Sequence, residues 1–167
     1  MKIPVKDFDL RKNNADEIVR GMAQAGGFSA KHLATGVDIL EKMVADKQCL
    51  KFLSLPADII STGARGIIRD MVKEKLFDVV ITTCGTWDHD LARSYTDYFH
   101  GSFFMDDAQL RKEKASRLGN VIVPDSSYGE IIEKKMFEFL EDMTKDKQEF
   151  STHELSWEMG KRINNDS

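Results

Sequence analysis

Phe77-Asp78-Val79-Val80-Ile81-Thr82-Thr83 runs without a break into Cys84-Gly85-Thr86-Trp87-Asp88-His89-Asp90, and this stretch decides the fold. Its first half is a nearly continuous β-branched run, the character of a strand covered on both faces as in parallel sheets. Toward the N-terminus, Ile60, Ala64, Ile67, Ile68, Met71 and Val72 recur with helical spacing and predict a helix over residues 60–75. Before it, residues 49–55 read as a short strand stopped by Pro56. The order is therefore β-α-β. A crossover of this length joins parallel strands right-handedly, and ligands of such sheets bind beyond the carboxyl ends of the strands, where helix N-termini point free N–H groups. Residues 55–63 and 83–90 thus line a candidate site.

Further out, Asn14-Ala15-Asp16-Glu17 opens a short helix to about residue 23, ended by Gly26-Gly27. Ser29 is the expected N-cap of a longer helix to about residue 46, whose Leu33, Val37, Leu40 and Val44 form one stripe expected to face the core. Downstream, residues 88–99 continue as a helix, residues 119–124 offer a third short strand for the sheet, and residues 128–146 form the clearest helix. Ile132, Met136, Phe139, Leu140 and Met143 line one side of that helix, with Glu130/Lys134 and Glu141/Lys145 at i,i+4 on the other. A last helix over residues 152–163 carries Leu155, Met159 and Ile163, and Asn164-Asn165-Asp166-Ser167 follow without a finishing strand. Two or three strands make a thin sheet whose apolar character demands more cover than these helices supply, so the chain reads as incomplete. The expected organisation is an N-terminal helical segment, residues 1–48, followed by an α/β body, residues 49–167.

Composition excludes several classes. With 24 basic and 28 acidic residues spread along the chain, net charge −4, no face is built to neutralise phosphate backbones, which argues against nucleic acid. No apolar run suits a signal peptide or a membrane span, so a soluble, cytoplasmic protein without a membrane partner is expected. Cys49 and Cys84 lack CxxC spacing and a nearby histidine pair, which favours reduced thiols over disulfides or zinc.

The turn Pro56-Ala57-Asp58-Ile59-Ile60-Ser61-Thr62-Gly63-Ala64-Arg65-Gly66 is rich in small residues but is not GxGxxG. Such residues let a backbone approach a phosphate or ribose, and they serve tight helix–strand packing equally well. In the second turn the acids suit an amine, while Thr86 or Asp88 also suits a helix cap. Asp88, His89 and Asp90 resemble metal ligands, but consecutive helical residues point in different directions, which argues against metal. Cys84 has no partner base and is read as a packing residue. Trp87 serves either as a stacking platform or as hydrophobic cover. His32, His100 and His153 are isolated and take no role.

Five strings in order resemble deoxyhypusine synthases: Ala25-Gly26-Gly27-Phe28-Ser29-Ala30; Ile60-Ser61-Thr62-Gly63-Ala64-Arg65; Asp78-Val79-Val80-Ile81-Thr82-Thr83-Cys84-Gly85; Arg117-Leu118-Gly119-Asn120-Val121-Ile122-Val123-Pro124; and Trp157-Glu158-Met159-Gly160-Lys161. The last leads toward the family's middle, so the chain resembles its N-terminal half. The resemblance implies a Rossmann-like parallel sheet flanked by helices, in a homotetramer of tight dimers with NAD and spermidine at the dimer interface. In that family NAD oxidises spermidine, and the butylamine moiety is held as an imine on an enzyme lysine. It then passes to a lysine of the hypusine-bearing translation-factor precursor, and hydride return completes deoxyhypusine. Carried over by position, the NAD contacts fall on Ala57, Asp58, Ile59, Ile60 and Ser61, on Thr83, Cys84 and Gly85, and on His89. The acidic pair that holds spermidine falls on Asp88 and His89, where many members have two glutamates, and Asp90 is the neighbouring carboxylate that would compensate.

The family's lysine nucleophile, remaining NAD contacts and further polyamine ligands belong to a C-terminal half beyond this sequence. No catalytic residue is therefore assigned here, and the resemblance implies a complementary chain carrying the lysine, in a homo- or hetero-tetramer. Two alternatives stand beside it: a homospermidine synthase, which passes the aminobutyl group to a small amine, and a non-catalytic partner subunit of a complete synthase.

Overall fold

Asn14 starts the first helix chemically: its side-chain oxygen accepts the Glu17 N–H at 2.8 Å. The resulting helix α1, Ala15–Ala25, ends at Gly26, which adopts φ 67° and donates its N–H to the Met22 carbonyl. Helix α2, Phe28–Ala45, follows at once. Its N-cap is Gly27, with no side-chain cap bond, so Ser29 lies inside the first turn instead of capping it; the reversal is already complete at the glycine pair. The computed structural model describes residues 3–9, 11, 14–145 and 147–166, with side chains to residue 163. The chain forms two units, Met1–Lys51 and Phe52–Ser167.

In the first unit α2 buries Ala34, while Leu33, Val37, Leu40 and Val44 are between 40% and 53% exposed. The predicted core stripe therefore faces outward. A two-helix hairpin covers only one narrow face of each member, and the small Ala34 lies on that face.

In the second unit β1, Phe52–Ser54, pairs in parallel with β2, Val79–Ile81, in the register Phe52↔Val79, Leu53↔Val80, Ser54↔Ile81. Both strands are shorter than predicted. Between them, Ala57–Ile59 coils into a 3-10 turn, and the Ser61 and Thr62 hydroxyls donate back to the Asp58 and Ile59 carbonyls at 2.6 and 2.8 Å. That back-bonding delays helix α3 to Arg65–Lys73. The sheet is not covered on both faces: Phe52 and Ile81 are each 53% exposed and Val80 41%.

Helix α4, Gly85–Tyr95, begins three residues before the predicted start and stops earlier, because Phe99–His100 is drawn into strand β3. The predicted third strand, here β5, Val121–Pro124, does not join the parallel pair. It pairs antiparallel with β3 and with β4, Ala115–Leu118, in a separate sheet of order β3-β5-β4. The β4–β5 hairpin turns at Gly119, φ 60°, where a Cβ would meet the Phe103 ring at 2.8 Å. Helix α5, Asp107–Lys112, was not foreseen; the Asp106 carboxylate caps it by accepting the Ala108 N–H at 2.8 Å.

The core of this unit is helical. Leu91 of α4, Phe139 and Met143 of α6 (Gly129–Met143) and Met159 of α7 (Thr152–Asp166) are buried together, with Trp87, Ile132, Met136, Leu155 and Ile163 packed around them. The predicted apolar side of α6 is thus its packed side for Ile132, Met136, Phe139 and Met143, while Leu140 is 38% exposed. Its ion pairs form at i,i+3, Lys135–Glu138 and Lys145–Asp142, the latter in place of Glu141/Lys145. The predicted helix end at Asp146 lies outside the described residues, as does Ser167. Among the described residues no helix is long and apolar enough to cross a membrane.

Candidate functional site

At the carboxyl ends of β1 and β2 the backbone bends twice in the same place. The Leu55 N–H donates to the Ile81 carbonyl at 3.1 Å, and the Thr82 hydroxyl closes the corner by donating to the Leu55 carbonyl at 2.9 Å. Thr86 Oγ1 lies 2.6 Å from Thr82 Oγ1, so its hydroxyl serves the corner and leaves the start of α4 uncapped. The Thr83 carbonyl accepts the Thr86 N–H and the Cys84 carbonyl accepts the Trp87 N–H, which turns the strand directly into α4.

The two turns touch. A Cβ built on Gly85 would stand 2.9 Å from the Ala57 Cβ, so only glycine lets the 3-10 turn and the start of α4 approach this closely. Two arginines brace them. Arg93 Nη1 donates to the Ile60 and Thr62 carbonyls at 2.7 and 2.6 Å. Arg65 Nε donates to Asp90 Oδ1 at 2.6 Å and its Nη2 to the Ser94 hydroxyl at 2.8 Å. Ala57, Asp58, Ile59, Ile60, Ser61, Thr83, Cys84 and Gly85 therefore share one end of the parallel pair. Asp58, Thr83 and Cys84 are exposed, whereas Ile60 and Ser61 are buried.

Asp88, His89 and Asp90 diverge as consecutive helical residues must. Asp90 is committed to Arg65. Asp88, half-buried, accepts the Tyr128 hydroxyl at 3.3 Å. His89 is only 7% exposed; its Nδ1 lies 2.9 Å from the Tyr98 hydroxyl and its ring centroid 5.1 Å from that of Tyr128. Burial pushes the His89 pKa down against the opposing pull of Asp88 and Asp58. Burial first, with the Asp88 carboxylate adding to it, pushes the Tyr128 phenol up, and burial raises Tyr98 to about 12. Asp88 lines a groove of about 410 Å³ walled by Tyr128, Ile132, Met136, Phe137 and Leu140, with Glu133 its other charged lining residue. A hollow of about 450 Å³ between the end of α6 and α7, beside Phe150 and Trp157, includes none of the turn residues.

Three residues differ from their sequence reading. Cys84 is exposed rather than packed, because the tight contact of the second turn is made by Gly85 against Ala57. Neither Thr86 nor Asp88 caps α4, since their side chains are taken by Thr82 and Tyr128. Trp87 packs against the Leu91–Phe139 core, which settles its two alternatives toward hydrophobic cover. Arg93, Tyr98 and Tyr128 were not anticipated. Arg93 stands one helical turn after His89, a spacing that could have flagged it, and Tyr128 opens the strongest helix; Tyr98 carried no signal.

The family model for deoxyhypusine synthase matches residues 17–167. The chain belongs to the deoxyhypusine synthase family. Over its full length it is 51% identical to the "Probable deoxyhypusine synthase" of Picrophilus torridus, of which it covers 54%. Over 98% of its length it is 46% identical to the protein of the same name from Thermoplasma acidophilum, covering 53% of it. The chain thus spans about half the length of the curated relatives it matches. A crystal structure from Entamoeba histolytica described as a deoxyhypusine synthase aligns with TM-score 0.60 and 20% identity over 96% of this chain and 55% of that one, a likeness of fold.

Proposed function

We propose that this chain is the N-terminal half of an NAD-dependent deoxyhypusine synthase, completed by a complementary C-terminal chain that carries the lysine nucleophile. The observation that carries the proposal is the contact of Ala57 with Gly85, which brings two partly exposed turns together at the carboxyl ends of parallel strands, the place where α/β sheets hold nucleotides. β1–α3–β2 is then one wing of a Rossmann-like domain, whose exposed Phe52, Val80 and Ile81 support cover by a further part of the enzyme. NAD is assigned to the outer rim of the two touching turns, where Asp58, Thr83 and Cys84 are exposed, with Ala57, Ile59 and Gly85 beside them and Ile60 and Ser61 buried beneath. NAD, when bound, supplies the hydride acceptor for the oxidation of spermidine.

Within this chain Asp88 is the group for the amine. Tyr128 occupies one of its carboxylate oxygens and leaves the other to an ammonium N–H, while the groove beyond offers apolar wall to an aliphatic chain. His89 is assigned to the same site from behind Asp88. The acceptor in this reading is a lysine of the translation-factor precursor, and the setting is the cytoplasm.

The test is reconstitution. This chain and the complementary half, purified separately and mixed, are expected to form NADH on addition of spermidine and to transfer labelled butylamine to the precursor, while each alone does neither. A mixture that binds no NAD, or one whose spermidine affinity is unchanged by Asp88→Asn, sinks the proposal.

A further inference from the structure

We infer that His89 is a positioning residue that seats the Tyr128 ring, and that Tyr128 in turn aims the Asp88 carboxylate. The inference rests on the proposed reading of Asp88 as the amine's carboxylate. His89 stands where the family pattern places an amine ligand, yet its ring is inside the molecule. Its Nδ1 is tied to the Tyr98 hydroxyl at 2.9 Å, and Tyr128 covers its face with centroids 5.1 Å apart at 33°. The Tyr128 hydroxyl then donates to Asp88 Oδ2 at 3.3 Å.

The row does not stop at His89. The Arg93 guanidinium lies 5.9 Å from the Tyr98 ring centroid, and Nη1 of the same side chain grips the Ile60 and Thr62 carbonyls of the first turn. A continuous line of packed side chains, Arg93, Tyr98, His89 and Tyr128, therefore joins the first turn to Asp88. Removing the imidazole leaves a void beneath the Tyr128 ring, which must settle inward and withdraw its hydroxyl from a bond that is already long. Removing the Tyr128 hydroxyl alone takes away the same bond and nothing else. If His89 acts only through Tyr128, the two losses are one loss.

The measurement is a titration of spermidine into the NAD-loaded synthase assembled from this chain and its complement, with Asp88→Asn, Tyr128→Phe, His89→Ala and the Tyr128→Phe/His89→Ala double variant. Tyr128→Phe is expected to weaken spermidine about tenfold, the lower end for a hydrogen bond to a charged group, with NAD affinity within about twofold of the parent. His89→Ala should match it, and the double variant should be no weaker than the worse single variant within about twofold. Losses that multiply in the double variant would mean that His89 meets the amine independently, and would overturn the inference. So would an unchanged affinity in Tyr128→Phe while Asp88→Asn is impaired. An unimpaired Asp88→Asn overturns the reading of the site itself and this inference with it. Should His89→Ala fail to fold, Tyr98→Phe, which frees the imidazole while keeping every ring, must lower spermidine affinity and spare NAD; no change in either overturns the inference.

Discussion

Gly85→Ala tests the contact on which the site is built. The added Cβ would lie 2.9 Å from the Ala57 Cβ, whereas ordinary contact begins at 3.4 Å, so the turns must separate by about half an ångström. Neither partner is the far end of a flexible side chain; both are fixed to backbone held by the Thr82–Leu55 and Arg93–Ile60 hydrogen bonds. Overpacking of this kind costs about 1–3 kcal/mol. Alanine also favours a helix over glycine by up to about 1 kcal/mol, so with the full helical gain the expected net loss is about 0–2 kcal/mol, against a net gain in the control below. Gly66→Ala in α3 is the control, since nothing lies within 4 Å of its built Cβ and only the helical gain should remain. Urea denaturation of the 167-residue chain reads the difference as a shift in midpoint at constant slope. Ala57→Gly in the Gly85→Ala background removes the opposing methyl and should recover most of the loss. The reasoning fails if Gly85→Ala behaves like Gly66→Ala, or if Ala57→Gly recovers nothing.

Asp90→Asn separates neighbours on α4. The Arg65–Asp90 pair is partly exposed, so its loss should cost under about 1 kcal/mol and leave spermidine affinity in the assembled synthase unchanged, while a tenfold loss would return Asp90 to the amine site. The pH dependence of stability follows from His89. Burial lowers its folded pKa below the ordinary value of about 6.5, so on acidification the unfolded chain takes the proton first and stability falls as pH drops below about 6.5, with no contribution above it. The Lys147 hydrogen bond holds Glu154 at about 2, so its contribution is complete above the ordinary glutamate value of about 4.5 and is lost as pH falls from there through about 2, below the pH range in which His89 begins to act. Urea midpoints measured from about pH 5 to pH 8 should therefore fall at the acid end and flatten in His89→Gln; a midpoint that rises as pH falls, or a variant that keeps the full slope, contradicts the assignment.

Periodicity located the longer elements, missed α5, β3 and β4, and gave neither the limits nor the company of those it found. The helices 128–146 and 152–163 stood out because their apolar residues answer to local burial and supply the Phe139, Met143 and Met159 core, whereas the strand 77–83 stood out by its β-branched run alone, with Val80 and Ile81 exposed. The second turn was legible because a strand running into Cys84-Gly85 has few continuations other than a helix. The antiparallel sheet was missed for a physical reason: β3 is two residues long, and its pairing with β5 is a long-range contact that no local pattern encodes. Local pattern gave Asp88, Asp90 and His89 similar standing as polar residues after a strand. Their separate fates depend on Tyr128, 40 positions from Asp88, and on Arg65, 25 positions from Asp90.

The β1–β2 pair holds a tension between its sequence and its surroundings. In the observed register Phe52 and Ile81 lie toward one face and Val80 toward the other, and all three are substantially exposed. A run such as Val79-Val80-Ile81 is costly in water on either face, at roughly 25 cal/mol for each Å² of apolar surface left uncovered. Under the proposed reading the cover is the complementary half, and the stripe Leu33–Val37–Leu40–Val44 on α2 has the same character. Hydrogen exchange reports the difference directly. The amides of Val79, Val80 and Ile81 should exchange markedly more slowly when the complementary half is added, because opening the strand would then require displacing a packed layer. Equal exchange with and without that half would mean that the exposed sheet is the finished state, and the two-chain enzyme would have to be abandoned.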